Sequence, residues 1–233
     1  TSVAAMMLFE EGALRLDPEV YRYIPAFQDV MVYAGGTAEK PELRKPDRAM
    51  TVRDLFLHTS GITYAFLQQT PVDAIYRAKG IDYSKHAGDL KSFCELLATA
   101  PLVFSPGDRW NYSNSTDVLG RVVEVASGMS LDAFFRKRIF EPLGMNDTFF
   151  SVPEDKVGRL MACYARNPVS GVTGLADPAG KASAYANKPN VFSGGGGLAS
   201  TIGDYFAFCK MLGNGGELNG VRLLSPKTLE FMT

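Results

Sequence analysis

Histidine is nearly missing from this 233-residue sequence; only His58 and His86 occur. A catalytic zinc site needs three convergent protein ligands, which two isolated histidines do not supply. A Ser-His-Asp triad would have to use one of them, and no Gly-x-Ser-x-Gly elbow surrounds any serine. His58 stands where a predicted helix ends, a place where an imidazole meets the negative end of the helix dipole and Ser60 helps form a turn. Cysteine is scarce as well. Cys94, Cys163 and Cys209 are widely spaced, form no CxxC pair and lie beside apolar residues. That pattern predicts buried free thiols and favours a reducing, cytoplasmic compartment. There is no excess of charge of either sign: 24 basic against 25 acidic residues, all scattered, leave no field to draw nucleic acid or an anionic membrane. No apolar run approaches the roughly 20 residues of a membrane span, and no charged-then-apolar leader opens the chain. Nothing calls for a metal or an organic cofactor.

What is present is enough apolar material, 46% of residues, to bury one substantial core. Residues 1–11 read as a helix with Val3, Ala4, Met7 and Leu8 on one face and Gly12 as its stop; it has no cap, and its first turn is expected upstream of Thr1. Thr51-Val52-Arg53-Asp54 resembles a capping box with Asp in place of Glu, ahead of a helix that stops near Gly61. Residues 89–100 present Leu90, Phe93, Cys94, Leu96 and Leu97 and end before Pro101. Thr116 or Asp117 is expected to cap a helix closed by Gly128, and Ser130 the next, stopped at Pro142 and Gly144. Thr201 with Asp204 opens a helix bearing Tyr205, Phe206, Phe208 and Met211, and Ser225-Pro226 opens a last one. Only residues 30–33 and 221–224 read as short strands, and residues 167–190 as a long functional loop. The expectation is a single domain over residues 1–233, a helical layer with little sheet, whose apolar faces await a sheet from segments outside the chain.

Two stretches carry chemistry. Trp110-Asn111-Tyr112-Ser113-Asn114 sets a phenol, a hydroxyl and an amide where an extended run meets a helix. A phenol with a pKa near 10 serves as a base at neutral pH only where cations stabilise the phenolate. Hydrolases that use one supply a lysine one helical turn after the serine nucleophile. Asn114 would then aim its amide at a substrate carbonyl. Taken alone, Tyr-Ser-Asn reads better as an interfacial aromatic beside a turn. The second stretch is the run of four glycines, residues 194–197, whose backbone can approach a ligand closely. The spaced lysine of a phosphate loop and the strand context of a dinucleotide site are both missing, which leaves an uncharged substrate pocket as the preferred reading over a flexible turn.

Together these stretches resemble the β-lactamase-related serine hydrolases, nearest the carboxylesterases and transesterases that look like class C β-lactamases. Thr51-Val52-Arg53-Asp54-Leu55-Phe56-Leu57-His58-Thr59-Ser60-Gly61-Ile62 looks like the segment that follows that family's catalytic helix. Pro106-Gly107-Asp108-Arg109-Trp110-Asn111-Tyr112-Ser113-Asn114 looks like its second motif, Phe140-Glu141-Pro142-Leu143-Gly144-Met145 like a phrase after it, and Phe192-Ser193-Gly194-Gly195-Gly196-Gly197-Leu198-Ala199-Ser200-Thr201 like a fourth segment. Thr1-Ser2-Val3-Ala4-Ala5-Met6 resembles the part of the catalytic helix just after Ser-x-x-Lys.

The resemblance implies an α+β fold of the β-lactamase/DD-peptidase type, here mainly its helical part. The serine and lysine would lie upstream, and the third-motif strand and much of the antiparallel sheet beyond the chain. It implies Tyr112 as part of the general base, Asn114, Gly195, Gly196 and Tyr64 as substrate neighbours, and an acyl-enzyme formed from a small-molecule ester or amide. Oxyanion donors would come from outside the chain, so the chain as it stands is expected to be inactive and aggregation-prone. Two further readings stay open: a β-lactamase or D-Ala-D-Ala carboxypeptidase, which Asn114 would suit, and a non-catalytic ligand-binding homologue. The sequence sets no oligomeric state.

Overall fold

The computed structural model describes residues 1–167 and 170–233; Pro168 and Val169, part of the expected long loop, lie outside the described residues. Along the chain come α1 (Ser2–Glu10), the hairpin of β1 (Val32–Gly36) and β2 (Pro41–Arg44), α2 (Val52–Leu57), α3 (Pro71–Ala78), α4 (Leu90–Leu97) and α5 (Ser115–Ser127). Then follow α6 (Leu131–Phe135), a π-helical turn (Arg136–Phe140), α7 (Glu141–Leu143), the hairpin of β3 (Cys163–Arg166) and β4 (Thr173–Asp177), α8 (Ile202–Gly213), the short pair β5 (Glu217–Leu218) and β6 (Val221–Arg222), and α9 (Pro226–Met232). Each sheet among the described residues has two antiparallel strands, so helices carry the core, as the α+β reading with little sheet anticipates.

Helix α5 is the hub. Its stripe of Val118, Leu119, Val122 and Val123 is buried, and α1, α2, α4 and α6 all pack against it. Gly120 lets the neighbours close in: a Cβ there would lie 2.9 Å from Leu131 and 3.6 Å from the Gly194 Cα. Helix α1 is buried all round, with Ala5 and Met6 as hidden as the Val3, Ala4, Met7 and Leu8 of the expected face. Short-range capping decides several starts. Thr51 and Asp54 form the anticipated capping box, Asp89 accepts from the Ser92 amide, Thr201 from Asp204, and Ser225 from Thr228.

Several expectations need correction. Helix α5 begins at Ser115, so Thr116 and Asp117 lie in its first turn, and Asp117 turns its carboxylate onto Ser193 and Gly195, 76 or more residues away. Ser130 precedes α6 without a side-chain cap, and Pro142 does not stop the helix; it follows a π turn and sits in the first turn of α7, where its missing N–H costs little, and the chain ends its helical path at Gly144. The expected loop over residues 167–190 contains β4 and two 3₁₀ turns. The first strand starts at Val32, two residues late, and the last covers Val221–Arg222 only. Helix α3, with its own Thr70/Asp73 capping box, is additional. Of the three thiols only Cys94 is buried; Cys163 and Cys209 are exposed, which removes the premise for reading all three as core residues. On α8 Met211 is the sole buried side chain, while Tyr205 and Phe206 face solvent. Among the described residues no helix is long and apolar enough to cross a membrane.

Candidate active site

The site grows out of the end of α2. Asp54 caps that helix, receives two guanidinium hydrogen bonds of 2.7 Å from Arg48, and accepts the Thr59 hydroxyl at 2.9 Å. His58 then turns the chain through a left-handed conformation, φ 55°. At Gly61 φ is +81° and a Cβ would lie 2.3 Å from the Phe104 carbonyl oxygen, so only glycine fits. The segment that follows is stitched to the Tyr112 stretch. Gly107 N–H donates to the Thr59 carbonyl, Val103 N–H to that of Gly61, Asn111 N–H to that of His58, and the Asn111 amide side chain to that of Ile62. Thr63 is fixed from the other side by a 2.7 Å bond to buried Asp73 at the start of α3. Tyr64 and Tyr112 are thereby held against each other at a tilt.

Their rings lie 5.2 Å apart at 51°. Phe66 stacks on Tyr64 at 4.7 Å, and His58 and Trp110 flank Tyr112 at 5.4 and 6.5 Å, giving an aromatic wall. Tyr112 is 45% exposed and Tyr64 only 7%, so they present different chemistry. Burial, then the charge of Asp117, then Tyr112 push the Tyr64 phenol well above its ordinary range, so it stays protonated at neutral pH. Tyr112 is the more exposed phenol of the two. Among the described residues it receives no hydrogen bond or ion pair from a lysine or arginine. Burial lowers the His58 pKa, so its imidazole is neutral at pH 7. His58 Nδ1 lies 3.2 Å from the Ser113 hydroxyl, which opens a buried row of hydroxyls, Ser113 to Ser115 to Ser60, at 2.7 Å per step. That row is internal, which removes Ser60 and Ser113 from the exposed face.

Asn114 sits behind the wall, 2% exposed. Its amide nitrogen donates inward to the Thr63 carbonyl at 3.3 Å, and its Oδ1 is buried without a partner. The glycine loop lies next to Tyr64: a Cβ on Gly195 would meet the Tyr64 hydroxyl at 3.1 Å, and one on Gly196 the Tyr83 hydroxyl at 3.6 Å. Thus Tyr112, Tyr64, Gly195 and Gly196 gather at one place, with Asn114 beneath. The start of α1 joins them, since the Thr1 hydroxyl donates to the Gly194 carbonyl at 2.7 Å.

The sequence reading missed Asp117 and Ser193 as site residues, together with Tyr83 and Tyr185. The Ser193 hydroxyl donates to Asp117 at 2.5 Å and accepts from the Gly195 and Gly196 amides at 3.3 and 3.2 Å. Tyr185 donates to the Gly196 carbonyl at 3.3 Å. Asp117 stands three residues after Asn114, one helical turn on, and that spacing was the available signal. A cavity of about 260 Å³ adjoins the glycine loop, lined by Tyr83, Tyr185, Ser193 and Gly196 among others. A larger one of about 510 Å³, walled by Phe140, Phe149, Phe150 and Phe192, contains none of the Tyr112 group. No group of three His, Cys, Asp or Glu side chains converges on one point among the described residues.

The chain as a whole is similar to known proteins. Lovastatin esterase of Penicillium rubens is 34% identical over 235 residues, taking in all of this chain and 56% of the esterase. Monacolin J acid methylbutanoyltransferase of Aspergillus terreus is 31% identical over 238 residues, all of this chain and 54% of the transferase. The unliganded structure of simvastatin synthase from Aspergillus terreus superposes with a TM-score of 0.76 at 29% identity, over 98% of this chain and 54% of that one. An octameric penicillin-binding protein homologue from Pyrococcus abyssi, at TM-score 0.64 and 22% identity, shares the fold. The chain therefore spans about half the length of the relatives it matches. The family profile described as Beta-lactamase matches residues 1–233 from end to end. With the profile matched from end to end and the β-lactamase/penicillin-binding-protein fold present in part, this chain belongs to the beta-lactamase family.

Proposed function

We propose that the protein containing this chain is a serine hydrolase of small carboxylic esters that works through an acyl-enzyme. The observation that carries the reading is the meeting of three elements: the exposed Tyr112 phenol, the glycine loop beside Tyr64, and the N-terminal end of α1 tied to Gly194 by the Thr1 hydroxyl. A Ser-x-x-Lys turn continuing α1 backwards from Thr1 would stand beside the glycine loop and Tyr112. In that arrangement the lysine ammonium stabilises the Tyr112 phenolate. The phenolate takes the proton of the serine as its Oγ attacks the ester carbonyl. The proton passes to the departing alcohol, and water then hydrolyses the acyl-enzyme, returning the serine. Tyr64, held protonated, borders the substrate as a hydrogen-bond donor. Relatives that include both an esterase and an acyltransferase support a second reading on the same chemistry, in which an alcohol replaces water as the acyl acceptor. For the lactamase and carboxypeptidase alternatives, Asn114 offers less support, because its amide nitrogen is used inward.

The test is hydrolysis of p-nitrophenyl butyrate by the full-length protein, with intact mass after a fluorophosphonate probe. Expected are turnover, one covalent adduct on a serine outside this chain, and a loss of about 10²–10⁴ in turnover for Tyr112→Phe. An adduct on Ser60 or Ser113 overturns the assignment, and absence of both turnover and adduct favours a ligand-binding role.

A further inference from the structure

Within the proposed ester site, the glycine loop has a face that its composition does not reveal. Glycine runs near a reacting carbonyl commonly offer their amides to it, yet here the Gly195 and Gly196 amides point into the protein. Gly195 N–H is shared between the Asp117 carboxylate and the Ser193 hydroxyl, each at 3.3 Å, and Gly196 N–H goes to Ser193 at 3.2 Å. The Ser193 hydroxyl spends its single proton on Asp117 at 2.5 Å. Asp117 is fully buried and projects from the first turn of α5, the helix on which the whole core packs, so it is the fixed member of the group. Its other oxygen, Oδ2, has no partner.

We propose that Asp117 is a positioning residue: through Ser193 it rotates the Gly195 and Gly196 amides away from the pocket, so that these two glycines meet substrate with their Cα hydrogens. The consequence is a loop surface that accepts the apolar body of an ester, and whose Gly195 and Gly196 amides give no hydrogen bond to an ester carbonyl. The location agrees with this. A side chain added at Gly195 would press on the Tyr64 hydroxyl at 3.1 Å and the free Asp117 oxygen at 3.5 Å, so the loop, Tyr64 and Asp117 share one close-packed corner. The kinetic part of the proposal rests on the ester-hydrolase reading; the orientation of the amides does not.

The experiment uses the full-length protein and the variants Asp117→Asn, Asp117→Ala and Ser193→Ala. Hydrogen exchange is followed at the Gly195 and Gly196 amides, and KM and kcat for p-nitrophenyl butyrate are measured separately. Asp117→Ala and Ser193→Ala are expected to speed exchange at both glycines by roughly tenfold or more. They are expected to raise KM about tenfold with kcat held within about threefold, as loss of a shaped binding surface does. Asp117→Asn keeps an oxygen that accepts from Ser193 and restores both readouts. If Asp117→Ala cannot be obtained folded, Ser193→Ala supplies the same comparison. Unchanged glycine exchange in either alanine variant overturns the proposal, and so does an asparagine variant as impaired as the alanine one. If the wild-type protein hydrolyses no ester, the hydrolase reading fails, while the exchange results still decide whether Asp117 sets the loop.

Discussion

Two buried aspartates, Asp54 and Asp117, respond to pH in opposite senses. At Asp54 burial pushes the pKa up, but Arg48, Thr51 and Thr59 outweigh it and hold the group below the usual carboxylate range. Its contribution to stability is therefore fully present above the unfolded pKa of roughly 4 and is lost as pH falls through the lower folded value. At Asp117 burial outweighs the hydrogen bonds from Ser193 and Gly195, and the pKa lies above the usual range. The ionisable groups under its influence are Tyr64, Tyr83 and Cys94, none of them a cation. Here the folded state keeps a proton that the unfolded chain has released, so stability declines as pH rises from roughly 4 to the folded value. Asp117→Asn should abolish that decline. In urea unfolding, its stability relative to wild type is expected to climb between pH 4 and pH 7; a difference constant over that range would contradict the account.

Among the elements, the hairpin of β3 and β4 stands apart. It is two strands only, with every residue of β3 and most of β4 exposed, and an isolated pair of this kind is marginal in water. Its amides are expected to exchange orders of magnitude faster than those of α5, whose apolar stripe is buried beneath four neighbouring helices; equal protection of the two would refute the packing argument. The same contrast explains what could be read from the sequence. Capped helices were legible where the signal is short-range, as at Thr51 with Asp54, Thr201 with Asp204, and Ser225 with Thr228. Thr70 with Asp73 carries the same signature, and Val72, Ile75 and Tyr76 behind it have helical spacing, so α3 was legible by the same rule. Tyr112, Tyr64 and the glycine loop could be named because they lie in recognisable segments. Asp117 could not be placed, since its partner Ser193 is 76 residues distant and the residue has an equally good local role as a cap. Exposure of α8 was also hidden: its Tyr205 and Phe206 are spaced like core residues, and only the absence of a packed neighbour among the described residues leaves them in solvent.

For the molecule as a whole, Ile202 at 92%, Tyr205 at 62% and Phe206 at 61% exposure form one apolar face at i, i+3 and i+4, and Phe9 stacks with exposed Phe231 elsewhere on the surface. Faces of this kind drive association. The chain expressed by itself is expected to bind 8-anilinonaphthalene-1-sulfonate and to sediment as concentration-dependent oligomers, with Ile202→Lys and Phe206→Lys together shifting it towards monomer; a monodisperse monomer with no dye binding would remove the premise. The deeper consequence lies in α5. Asn114 and Asp117 occupy the cap and first turn of the same helix that α1, α2, α4 and α6 clasp, and Tyr112 stands two residues before that cap. The Tyr112–Asp117 side of the pocket is thus expected to have no melting transition of its own: warming should leave it intact until the core gives way, and both should then disappear in a single cooperative step.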